Sequence, residues 1–84
     1  MDNLEFIPVT KSESGNIKEA AYDSDSETVL VRFNGGRIYE YGVNDDPVPV
    51  EMWEKWKNTF DDETVSTGTM FHETIRKFSF RQIE

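Results

Sequence analysis

The fold is decided by a short stretch of the chain, Val29-Leu30-Val31-Arg32-Phe33-Asn34-Gly35-Gly36-Arg37-Ile38-Tyr39-Glu40-Tyr41. Apolar and polar side chains alternate on both sides of the Asn-Gly-Gly turn, which predicts two antiparallel strands. A two-residue loop would pair Arg32 with Tyr39, whereas a three-residue loop at residues 34–36 pairs Val31 with Tyr39. Because side chains alternate strictly between faces, only the longer loop gathers the aromatic and β-branched side chains on one face. We therefore predict the longer loop, with Gly36 at a position of positive φ.

The residues around this hairpin predict the remaining strands and turns. Residues 4–9 are predicted as an edge strand, because Pro8 cannot donate to a strand ladder, and residues 17–22 are predicted as the next strand. The Ser, Asp, Asn and Gly content of residues 12–16 and 23–26 indicates a loop and a turn. Downstream, Pro49 marks the first turn of a helix at residues 50–58.

Two apolar stripes at helical spacing indicate which helix faces are buried. The first helix carries Met52, Trp53, Trp56 and Phe60. A second helix is predicted at residues 70–77, with Thr67 or Thr69 as its N-cap and a stripe of Phe71, Ile75 and Phe78. Residues 80–83 are predicted as a final extended segment.

These elements predict an α+β fold in which a small antiparallel sheet of three or four strands is followed by, and packed against, two helices. We expect one domain over residues 1–84, with residues 1–16 as a lead-in strand and loop. A small closed barrel with a helical cap is the alternative fold.

Composition limits the classes of function. The chain of 84 residues has no cysteine, which excludes disulfides, thiol catalysis and thiolate metal sites. We therefore expect a reducing, cytoplasmic compartment. No apolar run approaches the ~20 residues of a membrane span, and we expect neither a signal peptide nor a membrane partner. The formal net charge is −8, yet residues 28–39 and 64–84 carry +2 and +1.

The spacing of the strand and helix residues resembles the KTSC domain. The matching pattern is Val29-x-Val31-x-Phe33-x-x-Gly36-x-x-Tyr39-x-Tyr41, then a Pro-started helix, then Ser66-x-Gly68-x-x-Phe71-x-x-x-Ile75-Arg76. That family is named after its occurrence at the C-terminus of some lysyl-tRNA synthetases, and it also occurs as small bacterial and phage proteins. The resemblance covers about residues 8–83, and it implies a binding module, with RNA as a suggested ligand.

Candidate binding residues come from two parts of the chain. Tyr39 and Tyr41 could stack on bases, or they could be core side chains with hydroxyls at the rim. Ser66 and Gly68 precede a helix whose free N–H groups can hold an anion, and Arg76 adds a guanidinium suited to phosphate or carboxylate. Ordinary helix capping and a structural ion pair of Arg76 are the alternatives. We predict a ligand at the junction of these two parts.

Catalytic and metal sites are poorly supported by the sequence. Residues 23–27 begin like a calcium loop, but Thr28 and Asn34 occupy the positions that require Gly and Glu. His72 is the only histidine, and with Ser66 it does not make an oriented catalytic triad. We therefore expect no enzyme activity, no cofactor and no metal.

Two functions remain, and both require a macromolecular partner. The first is a module that binds RNA or a ribonucleoprotein through a basic cluster of Arg32, Arg37, Arg76, Lys77 and Arg81. The second is an acidic interaction or inhibitory protein, of the kind that phages encode, whose acids at residues 23–27, 45–46 and 61–63 mimic a phosphate backbone and engage a basic protein. Solubility is the simpler role of those acids. The sequence indicates no oligomeric state.

Overall fold

A computed structural model describes residues 4–10 and 16–84. Its strands are β1 (Ile7–Pro8), β2 (Ile17–Asp23), β3 (Thr28–Phe33), β4 (Ile38–Tyr41) and β5 (Phe80–Gln82). Two helices, α1 (Val50–Lys57) and α2 (Thr67–Thr74), lie between β4 and β5 in the chain. The loop predicted at residues 12–16 falls outside the described residues except for Asn16.

The strands form one antiparallel sheet in the order β1-β2-β3-β4-β5. This confirms the α+β prediction, with one difference in strand count. The sequence predicted three or four strands before the helices and an extended segment at residues 80–83. That segment is confirmed as β5, which lies beside β4 after the chain returns from α2. Within the described residues the sheet is open, with β1 and β5 at its edges, so the closed-barrel alternative is wrong.

The hairpin of β3 and β4 has the predicted register. Val29 lies opposite Tyr41 and Val31 lies opposite Tyr39. The amide of Phe33 donates to the carbonyl of Arg37 over 2.8 Å, which closes the three-residue loop. Gly36 has φ +99°, a conformation that costs glycine little. The aromatic and β-branched side chains therefore share the face that packs on the helices.

Helix α1 fills the core with its two tryptophans. Trp56 is fully buried, and its indole Nε1 donates to the carbonyl of Thr67 over 3.1 Å. Trp53 is also buried and stacks on Tyr22 with ring centroids 5.9 Å apart. Both are core residues, as the helical spacing predicted. The hydroxyl of Tyr22 donates to the carbonyl of Val48 over 2.7 Å, which fixes the segment that enters α1.

Helix α2 starts earlier than predicted, because its N-cap is Ser66. The Ser66 Oγ accepts a hydrogen bond from the amide of Thr69 over 3.1 Å. Thr67 cannot serve as the cap, since it is buried and its hydroxyl donates to the carbonyl of Thr59 over 3.2 Å. Thr69 lies inside the helix. At its other end the helix stops at Thr74, three residues before the predicted end.

The connections around β4 are fixed by hydrogen bonds that involve backbone groups. Ser79, just before β5, is held on both sides: its carbonyl accepts from the amide of Gly42 over 2.7 Å and its amide donates to Asp46 Oδ2 over 2.8 Å. The amide of Val48 donates to the carbonyl of Glu27 over 2.8 Å. Gly42, at φ +106°, passes so close to that carbonyl that a Cβ would lie 2.7 Å from its oxygen.

No helix among the described residues has the length and apolar character needed to cross a membrane.

Candidate functional site

Two adjoining cavities lie on the helix-facing side of the sheet. One, of about 320 Å³, lies between the sheet and α2 and is bounded by Tyr41, Gly68, Phe71, His72 and Arg76. The other, of about 290 Å³, extends over the β3–β4 turn beside Arg37 and Tyr39. They share Asn16, Phe33 and Tyr41, so we describe them together as the groove.

The groove lies where a ligand was predicted, at the meeting of the Tyr39/Tyr41 strand and the start of α2. The structure brings four of the five predicted residues to its lining: Tyr39, Tyr41, Gly68 and Arg76. Ser66 is not among the lining residues, and its hydroxyl caps α2. The capping alternative therefore accounts for Ser66. At Gly68, an added Cβ would have one neighbour within 4 Å, the Ser66 Oγ at 3.9 Å.

The two tyrosines differ in burial. Tyr41 is 4% exposed and packs edge-on against Phe71 of α2, with ring centroids 5.3 Å apart. Tyr39 is only half-buried and packs edge-on against Phe33 at 5.5 Å. Tyr41 is thus a core residue that also forms part of the groove, whereas Tyr39 lies at the rim.

Tyr41 and Arg76 are electrostatically coupled across the groove. Burial raises the pKa of the Tyr41 hydroxyl above its ordinary value, because the charged phenolate loses solvation. The positive charge of Arg76 opposes this rise of the pKa, and neighbouring Tyr39 adds to it. The positive charge of Arg76 is therefore felt at the Tyr41 hydroxyl.

Phe80 of β5 extends the aromatic surface beyond the groove. It lies opposite Tyr41 in the β4–β5 ladder. Its ring centroid is 5.2 Å from that of Tyr41 and 5.7 Å from that of Tyr39. Tyr39 and Tyr41 stack on each other at 6.5 Å. We name these three rings the aromatic platform. Phe80 is 51% exposed, so part of the platform is open to solvent.

The predicted basic cluster is divided between the two faces of the sheet, which corrects the sequence-based hypothesis. Arg32 pairs with Glu19 at 2.7 Å and Arg81 pairs with Glu40 at 2.9 Å. These four residues alternate with the helix-facing ones and lie on the opposite face. Lys77 lies apart, with its Nζ 5.8 Å from the ring centroid of Phe78.

Arg37 and Arg76 are the two arginines that the structure places in the groove. Neither forms an ion pair with another described residue, so the predicted structural ion pair of Arg76 is not observed there. Arg76 instead donates from Nη1 to Nδ1 of His72 over 3.2 Å. Two positive charges without an ion-pair partner in the described part of the chain therefore flank tyrosine rings on a protein of net charge −8.

Comparison with known proteins shows the family of this chain. The KTSC domain model matches residues 13–80, which include every groove residue named above and Phe80. The chain belongs to the KTSC domain family. A Lysine--tRNA ligase of Trichormus variabilis (strain ATCC 29413 / PCC 7937) is 34% identical over 78 residues. The alignment covers 92% of this chain and 12% of the ligase, so the KTSC domain spans a small part of that relative.

Several acids of this KTSC domain are used in local hydrogen bonds. Asp23 Oδ1 accepts from the amide of Asp25 within the turn at residues 24–27, and Asp62 Oδ1 accepts from the amide of Thr64. Asp46 accepts from Ser79, as described above. One acid in each of the three acidic clusters thus has a structural role. The described residues contain no group of three or more acids or histidines arranged to hold a metal ion.

Sequence reasoning missed three residues of this site. Arg37 was assigned to a general basic cluster, although the predicted pairing of Phe33 with Arg37 already put it on the tyrosine face. Asn16, whose carbonyl accepts from the amide of Asn34 over 2.7 Å, was assigned to a loop. Phe80 was predicted only as part of a final extended segment, because its place beside the tyrosines depends on pairing with a strand on the far side of both helices.

Proposed function

We propose that this KTSC domain is a non-catalytic module that binds nucleic acid, free or in a ribonucleoprotein, through the groove. The observation that carries the proposal is the pair Arg37 and Arg76, which lie beside Tyr39 and Tyr41 without an ion-pair partner among the described residues. Guanidinium groups and aromatic rings are the side chains that contact phosphates and bases. The similarity to a protein named as a tRNA ligase supports the same ligand class.

The net charge of −8 does not prevent such binding. At physiological ionic strength charges are screened over about 8 Å, so a bound phosphate interacts mainly with the groups beside it. In the groove these groups are Arg37 and Arg76. The acidic remainder of the surface lowers the rate of encounter and disfavours long ligands, which limits binding to ligands that fit the groove.

A non-catalytic role is supported by the partners of the reactive side chains. Ser66 Oγ accepts from the helix amide of Thr69, and Nδ1 of His72 accepts from Arg76. A nucleophile needs a base within hydrogen-bond reach, and these two side chains have other partners.

An NMR titration with short RNA at low salt tests the proposal. We expect amide and side-chain shifts at Tyr39, Tyr41, Arg37 and Arg76, and none at the guanidinium of Arg81, which pairs with Glu40 on the opposite face. Replacing Arg37 and Arg76 by Gln should abolish the shifts, whereas the matched replacement of Lys77 and Arg81 should preserve them. If RNA leaves the groove resonances unmoved and a pull-down recovers a basic protein instead, the proposal is wrong and the acidic-surface alternative replaces it.

A further inference from the structure

The aromatic platform offers an exposed ring face beside the groove. Tyr39, Tyr41 and Phe80 have centroids 5.2–6.5 Å apart, with interplanar angles from 27° to 44°. Such angles keep the rings closer to parallel than to edge-on. Two of the three rings line the groove, and the third, Phe80, is 51% exposed. A flat group that enters from the groove can therefore lie on Phe80 and Tyr39.

The charge of the site is too small to supply affinity by itself. Two phosphate contacts, at Arg37 and Arg76, change single-strand affinity by only about sevenfold between roughly 50 and 200 mM salt. Stacking of one base on an aromatic side chain changes affinity by roughly 5-fold to 150-fold, and it does not depend on net charge. On a protein of charge −8, stacking therefore supplies a part of the affinity that neither salt nor net charge removes.

Single strands and duplexes differ in their charge density and in the accessibility of their base faces. A duplex carries one charge per ~1.7 Å of its axis, twice the linear density of one strand, and its repulsion from the acidic surface is correspondingly larger. The base faces of a duplex are also covered by their neighbours. An unpaired base presents its face to a ring, so the platform suits single strands.

We propose that the ligand of the groove is single-stranded nucleic acid, with one unpaired base stacked on Phe80 and Tyr39 and the adjoining phosphates contacting Arg37 and Arg76. This inference rests on the proposed function and specifies its ligand. It assigns a binding role to Phe80, which is 51% exposed beside the groove.

Fluorescence anisotropy with a labelled mixed-sequence RNA, its DNA counterpart and the same RNA annealed to its complement tests this inference. The variant is Phe80→Leu, which keeps an apolar side chain on β5 and removes the ring. The matched control is Ile83→Ala, which changes an exposed apolar residue (42% exposed) just after the same strand. Thermal melting of both variants checks that the fold is retained.

We expect the single-stranded probe to bind more tightly than the duplex, and Phe80→Leu to weaken single-strand binding about tenfold. Ile83→Ala should bind as the parent does. Equal binding by the parent and Phe80→Leu, or tighter binding of the duplex, would overturn the single-strand inference while leaving the proposed function in place. Absence of binding to all three probes would overturn both. A preference for RNA over DNA would identify contacts to the 2′-hydroxyl and support the RNA source.

Discussion

The guanidinium of Arg76 donates a hydrogen bond to Nδ1 of His72, four residues earlier in the chain, over 3.2 Å. Arginine can only donate, so the imidazole must present an unprotonated Nδ1 to it. The imidazole therefore orients Arg76 and, unlike a carboxylate, brings no negative charge to it. This contact explains how a strongly acidic chain keeps a positive charge available in the groove, whereas Arg32 and Arg81 are paired with glutamates.

Replacing Arg76 by Ala should weaken nucleic-acid binding with little effect on the fold. Arg76 is exposed, and His72 is the one partner of its side chain among the described residues, so the free energy of unfolding should change by no more than about 1 kcal/mol. The salt dependence of log K should also fall by about 0.7, one phosphate contact of a single strand. The measurements are chemical denaturation and anisotropy at several salt concentrations.

Lys77→Ala is the matched control for Arg76→Ala. It removes the same charge from the adjacent residue, outside the lining of the groove. Equal loss of binding in both variants would show that net charge matters rather than the position of Arg76. Unfolding of the Arg76 variant would instead make Arg76 a structural residue.

Ionisation of Tyr41 should reduce stability in alkaline solution. Burial raises its pKa in the folded protein, so the folded state holds this proton more tightly than the unfolded chain does. The contribution to stability is complete below about pH 10, the ordinary tyrosine value, and is lost as pH rises through the raised value. Urea unfolding across this range should therefore show a steeper loss for the parent than for Tyr41→Phe.

Arg76 provides an internal check on that titration. Its positive charge lowers the pKa of Tyr41 relative to burial alone. In Arg76→Ala the tyrosinate absorbance should therefore develop at higher pH than in the parent. A shift to lower pH would contradict the coupling.

Replacing Gly42 by Ala should destabilise the domain by more than about 2 kcal/mol. A residue at positive φ costs roughly 1–2 kcal/mol unless it is glycine, and here a Cβ would also lie 2.7 Å from the carbonyl oxygen of Glu27. Gly68→Ala is the contrasting change, because Gly68 is helical and its Cβ would meet only the Ser66 Oγ, at an ordinary contact distance of 3.9 Å. That variant should gain about 0.5–1 kcal/mol. Thermal denaturation measures both, and equal effects would contradict this account.

Removing the Tyr22 hydroxyl should cost about 1–2 kcal/mol of stability. The hydroxyl donates to the carbonyl of Val48, a fully buried residue, and Tyr22→Phe leaves that oxygen without this donor. Tyr39→Phe removes the same atom from a half-buried ring whose hydroxyl bonds to no described residue, and should change stability less. Denaturation curves of the two variants that coincide would show that the Val48 contact contributes nothing.

The parts of this fold that depend on local patterns could be predicted from the sequence. Strict alternation fixed Val31 opposite Tyr39, and helical spacing placed Trp53 and Trp56 in the core. The N-cap of α2 could not be resolved, because the neighbouring Ser and Thr residues have similar capping ability. Thr67 is excluded as the N-cap because its hydroxyl donates to the carbonyl of Thr59, in the segment that follows α1.

The candidate site was predicted less completely, for a related reason. Tyr39, Tyr41, Gly68 and Arg76 meet as expected because each lies at a recognisable strand or helix position. Arg32 and Arg81 were grouped with them by charge, although alternation places them on the opposite face. Phe80 depends on the pairing of β4 with β5, which no local pattern encodes.

The docking of β5 onto β4 closes the longest excursion of the chain, since both helices lie between these neighbouring strands. Pairings between distant segments carry a large loop-closure entropy, so edge strands of this kind are among the elements that open locally at less than the full free energy of unfolding. Tyr39 belongs to β4 and Phe80 belongs to β5. A molecule that contacts both rings binds only the docked strand, and by mass action it suppresses the opening. Amide hydrogen exchange at Arg81 and Ile83, whose N–H groups face β4, should then slow as the groove fills, so the sheet edge itself would report occupancy.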